Sequence, residues 1–131
     1  MPINLPPLVP AAVVHISSAV LRVAVARTPD DQARGLKFRD SVDACDGMLF
    51  VFDDPGLYAF WMHEVRIALD VAWLDSRRRV VATAERLPPC FVPPCAQYTP
   101  PAPGRYVLEV PGGVLRQLGI GVGDVATIEW L

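Results

Sequence analysis

The sequence predicts a mainly β, single-domain fold, an antiparallel β-sandwich or a barrel, with two short helices. Three observations carry this expectation. Apolar residues alternate with period two in several short stretches, most clearly at residues 21–26 and 61–73. A continuous apolar run, Met48-Leu49-Phe50-Val51-Phe52, suits a strand buried on both faces. Only the segments after Thr28 and after Gly112 read as helix, and both are short.

The elements follow in order. Residues 13–27 read as β; from Leu21 onward, Leu21, Val23 and Val25 take one face and Arg22, Ala24 and Ala26 the other. Thr28-Pro29-Asp30-Asp31 opens a helix: the threonine can cap free amides, proline fits the first helical position, and the acids suit the positive end of the dipole. Gly35 can close it after about two turns. After the apolar run, Asp53-Asp54-Pro55-Gly56 predicts a turn. Residues 59–75 alternate again, as one strand or a bent pair. The odd face carries Trp61, His63, Val65, Ile67, Leu69, Val71 and Trp73; the even face carries Glu64, Arg66 and Asp70. Arg77-Arg78-Arg79 predicts a hairpin tip before a strand at residues 80–85. Seven of the 14 prolines fall in residues 88–103, which predicts an irregular excursion because proline cannot donate to a ladder. A strand at residues 106–110, a short helix at 112–118 closed by Gly119, a turn at 121–124 and a strand at 125–130 complete the chain.

A length of 131 residues suits one domain, and 52% apolar against 20% charged residues excludes disorder of the whole chain. Residues 1–12 read as a flexible proline-rich arm, and residues 13–131 as the domain. The arm has no Lys or Arg, and its prolines spoil a signal helix. The expected compartment is therefore cytoplasmic by default, or periplasmic or extracellular if a native leader has been trimmed. Net charge is −2 and no basic stripe appears, so nucleic acid is not an expected partner. No apolar run is long enough for a membrane span. Four Ser and four Thr leave few nucleophiles for a hydrolase. No cofactor loop or metal motif is present, so the expected cofactors and metals are none.

The order Gly35-Leu36-Lys37-Phe38-Arg39, Gly47-Met48-Leu49-Phe50-Val51-Phe52, Phe60-Trp61-Met62, Ile67-Ala68-Leu69-Asp70-Val71 and Tyr106-Val107-Leu108-Glu109-Val110, followed by Gly113, Gly119-Ile120 and Gly123-Asp124, resembles the domain-of-unknown-function family 192, also called uncharacterised protein family 0127. The resemblance covers about three-quarters of the chain. It implies a jelly-roll-like sandwich and supplies no catalytic residue. Lys37 stands where the family has Met, and His63-Glu64-Val65 where it has Lys-Asn-Thr. The resemblance also implies that a pair matching Cys90 and Cys95 recurs in some members, followed by a Tyr matched by Tyr98. As a disulfide the pair would staple the proline-rich loop, worth roughly 2–3 kcal/mol by loop entropy. Free thiols, or a metal or redox role, are the alternatives. Cys45 is expected to be a small packed residue.

Three functions compete. The leading one is a non-catalytic binding or accessory module for an unidentified small molecule or protein, its surface built from Trp61, Glu64, Arg66 and Asp70. There Arg66 reads an anionic group, Asp70 orients it, and the blander reading is a surface ion pair. The second is a small hydrolase or lyase using Glu64 and Asp70 as acid and base. The third is a redox or envelope-stability protein acting through Cys90 and Cys95. Among the aromatics, Trp73 is expected in the core, and Trp61 is as well suited to a cleft as to packing. Asp46, Asp53 and Asp54 are explained more simply by turn chemistry than by a Ca²⁺ site.

Overall fold

The computed structural model describes residues 5–131. Its strands are β1 (Ala12–Ile16), β2 (Ala19–Ala26), β3 (Gly47–Gly56), β4 (Phe60–Trp61), β5 (Leu69–Leu74), β6 (Val80–Leu87), β7 (Gln97–Tyr98), β8 (Gly104–Pro111) and β9 (Ala126–Trp130). Its helices are α1 (Pro29–Arg34) and α2 (Val114–Gln117). The mainly β fold with two short helices is thus the one the sequence predicts. Seven strands form one sheet in the order β6-β5-β8-β3-β2-β1-β9, and β4 pairs with β7 in a separate ribbon. The sheet is mixed: β2 and β3 run parallel, while its other pairs are antiparallel. A parallel pair needs a crossover, and the chain between β2 and β3, including α1, supplies it.

The sheet does not close into a barrel. At one end its edge strands meet, Val80 donating to the Asp124 carbonyl and Ala126 to that of Arg78. Both faces are buried. Val14, Ile16, Leu49, Leu74 and Leu108 fill one side with Leu115 of α2. Ala24, Met48, Phe50, Val71, Trp73 and Val107 fill the other, where Phe60 and Tyr98, paired in the β4–β7 ribbon, pack against them. The ribbon thus lies over the seven-stranded sheet, a sandwich-like arrangement.

Local chemistry explains the elements. Thr28 caps α1 by accepting from the Asp31 amide at 3.1 Å, and Gly35 ends the helix at φ +47°. The β of residues 13–27 is a hairpin, turning at Ser17 with φ +54°. Asp75 accepts from the amides of Arg77 and Arg79 and closes the tip before β6. Two expectations are corrected. The Asp53-Asp54-Pro55-Gly56 turn is instead the irregular end of β3, which shifts register against β8 between Val51 and Gly56. The alternation over residues 59–75 is interrupted: β4 ends at Trp61 and β5 begins at Leu69. Of the expected arm, residues 1–4 lie outside the described residues. From Leu8 the chain is anchored: that side chain is buried and its amide donates to Asp43 at 2.9 Å, so apolar burial and one hydrogen bond hold what proline content had marked as free.

Candidate functional site

A cleft of about 300 Å³ opens on the ribbon side of the sheet, between α1 and the segment joining β3 to β4. Its walls are aromatic. Phe52 and Tyr58 stack at 3.7 Å between ring centroids, and Phe50 meets Phe60 edge-on at 4.9 Å. Trp61 forms the mouth, 41% exposed, with the Lys37 ammonium 5.8 Å from its ring centroid.

Glu109 lies at the bottom. It sits on β8, an interior strand, facing Met48 of β3 and Val71 of β5 across the sheet. It shares a face with Val107, two residues before it, as strand alternation requires. Only 5% of the residue is exposed, and burial pushes its carboxyl up to about 8, with no charged neighbour or hydrogen bond entering as a cause. Near neutral pH the group is therefore mostly protonated. Gln32 of α1 lines the same cleft. Its amide nitrogen donates to the carbonyls of Ala26 and Val51, which leaves the amide oxygen as the acceptor it can offer a ligand.

The residues read from sequence are dispersed. Trp61 lies in the cleft. Asp70 lies on the opposite face of the sheet, fully buried, and is committed to backbone: one oxygen accepts from Arg86, the other from Gly113 and Leu115, at 2.7–3.0 Å. Arg66 reaches Asp40 at 3.4 Å. Glu64 stands at φ +65° in the irregular link, its carboxylate 3.5 Å from His63. The Glu64–Arg66–Asp70 cluster does not form, because the strand whose parity would have aligned these side chains is broken between Trp61 and Leu69. The same break brings His63 beside Glu64, which strict alternation had kept apart.

Cys90 and Cys95 are joined by a disulfide, and Cys45 is a buried free cysteine. The loop the bridge closes is tied to the link after the cleft: Cys90 donates to the Met62 carbonyl, and Glu64 to that of Cys90. Trp73 is a core residue whose indole donates to the Tyr58 carbonyl at 2.9 Å, bracing the cleft wall from behind. Asp46 holds the Arg22 amide at 2.8 Å, and no group of three or more metal-ligating side chains occurs among the described residues. No helix among them is long and apolar enough to cross a membrane.

Sequence reasoning missed Glu109 and Gln32. One signal for Glu109 was present: a single acid inside the apolar strand Tyr106-Val107-Leu108-Glu109-Val110. A charge in a strand buried on both faces needs a partner or a reason to be neutral.

Fold and site together define a small mainly β domain with one aromatic cleft ending on a buried acid. The chain belongs to family DUF192, described as Uncharacterized ACR, whose model matches residues 12–128. A UPF0127 protein of Thermococcus gammatolerans is 44% identical over 64 residues, 47% of this chain and 35% of that protein. One from Thermococcus sibiricus is 29% identical over 114 residues, 83% of this chain and 66% of that protein. The matched segments thus span between about a third and two-thirds of the lengths of these curated relatives. A crystal structure of a protein of unknown function from Novosphingobium aromaticivorans superposes with a TM-score of 0.79 at 31% identity, covering 98% of this chain and 95% of that one. A Sinorhizobium meliloti protein, provisionally described as a transcription regulator, superposes with a TM-score of 0.82 at 25% identity, covering 95% and 97%.

Proposed function

We propose that this domain is a non-catalytic binding module whose ligand, a small molecule or the side chain of a partner protein, enters the cleft between α1 and β4. The observation that carries the reading is the buried carboxyl of Glu109, without a hydrogen-bond partner among the described residues, at the bottom of an aromatic-walled cavity. Binding sites are commonly concave and mostly apolar, with a few polar groups that fix orientation. A buried carboxyl without a partner costs stability, and a site for a ligand is a physical reason to keep one. In this reading Trp61 is the exposed aromatic at the mouth.

A hydrolase or lyase using Glu64 and Asp70 has less support, since the Asp70 oxygens are filled by three backbone amides. Nucleic-acid binding has little support from a chain of net charge −2. The test is an amide-detected NMR screen of the intact protein with a library of aromatic-bodied fragments. Hits should shift Gln32, Phe60, Trp61 and Glu109 together, and Trp61→Ala should weaken them about tenfold while leaving the remaining spectrum in place. Hits that map elsewhere, or a screen with none in the cleft, would overturn the proposal.

A further inference from the structure

Given that binding role, on which this inference rests, we infer that the cleft selects a flat organic cation of the amidine or guanidine class, seated with its N–H donors on Glu109. The polar groups inside point to this class. Glu109 offers two carboxyl oxygens and Gln32 an amide oxygen, so the bottom of the cleft can supply up to three acceptors. A planar amidinium presents two parallel N–H donors that match a carboxylate in a fork, and such paired, charge-assisted bonds are the strong ones. The walls suit the same guest. Phe52, Tyr58, Phe60 and Trp61 line the cleft, and aromatic rings attract cations over their faces. The protein already places one ammonium near such a face, that of Lys37 by Trp61.

A neutral hydroxyl or amide ligand would leave the carboxyl protonated and gain ordinary hydrogen bonds only. An anion could pair with Arg34 or Lys37, which also line the cleft, but would meet its aromatic walls and the Glu109 acid there. The titratable side chains around the cleft are Arg34 and Lys37, on α1 and just after it, and Tyr58 from the β3–β4 link. Arg34 is engaged with Asp31 at 3.7 Å. The strands flanking Glu109 present Met48 and Val71, which do not titrate. The cation's arrival therefore displaces the Glu109 proton: the neutral acid and the cation give a carboxylate–amidinium pair plus one proton released to solvent.

The probes are benzamidine and its neutral isostere benzamide, titrated calorimetrically into the intact protein in buffers of different ionisation enthalpy. Benzamidine should bind at least tenfold more tightly than benzamide and release about nine-tenths of a proton at pH 7, as a carboxyl titrating near 8 requires. Its affinity should rise about tenfold per pH unit from pH 6 and level off above about pH 8.5. Glu109→Gln should abolish both the proton release and the pH dependence. Lys37→Met should tighten benzamidine a few-fold by removing a like charge at the mouth. Equal binding of both probes in the cleft would overturn the cation and leave the binding module standing. So would a cleft that takes library fragments but not benzamidine. A cleft that takes neither the probes nor any fragment would overturn both.

Discussion

At Glu109 one side chain links folding to pH. Its ordinary carboxyl value of 4.5 holds in the unfolded chain, while burial raises it to about 8 in the fold. Between those values the folded state binds a proton that the unfolded state does not. The sign follows: its contribution is fully present below about pH 4.5 and is lost as pH rises through about 8, with a total loss on the order of 4–5 kcal/mol. Glu109→Gln should remove most of that slope. The variant should be the more stable protein at about pH 8.5 and lose its advantage near pH 5, read by urea denaturation at both pH values. A slope unchanged by the substitution would place the titrating group elsewhere. The sequence carried the outline of this residue, an acid inside an apolar strand, but not its place beneath a cleft. That place depends on α1 and the β3–β4 link, distant in the chain, closing over β8.

Asp70 shows at the scale of elements what a buried acid does when its partners are built in. It ties β5 to the first turn of α2 through Gly113 and Leu115, and to β6 through Arg86. Gly113, at φ +94°, gives α2 no side-chain cap, so a carboxylate from another strand supplies that function. Asp70→Ala should leave three backbone amides without their acceptor and cost about 3–5 kcal/mol in urea denaturation. Ligand binding in the cleft, on the other face of the sheet, should survive at concentrations where the variant is folded. Loss of binding with stability intact would instead support the acid–base role read from the sequence. Several elements were legible: the Thr28 cap, the tip at Arg77-Arg78-Arg79 and β8 follow from local chemistry. The break between β4 and β5 was not. Alternation persists through residues 62–68, but Phe38 donates to the Glu64 carbonyl and Glu64 to that of Cys90, so distant partners take the place of a ladder.

The Cys90–Cys95 disulfide bears on the whole molecule through the loop it closes. That loop is hydrogen-bonded to the link beyond Trp61, so the bridge braces one side of the cleft from outside it. Replacing both cysteines by serine should cost about 2–3 kcal/mol, roughly 5–12 °C in Tm by calorimetry. Fragment binding in the cleft should persist below the lowered Tm. Abolished function in a variant that remains folded would favour the redox role instead.

The sequence by itself determined the mainly β class, the two short helices, the membership of DUF192 and most strand positions. Periodicity, caps and turns are local, and a few neighbouring residues suffice to fix them. Only the tertiary structure decided the parallel pairing of β2 with β3, the separation of Glu64 and Arg66 from Asp70, and the cleft over Glu109. Each of these depends on which distant segments meet across a sheet buried on both sides. There, a shift of one residue at the broken strand moves a side chain from one face to the other.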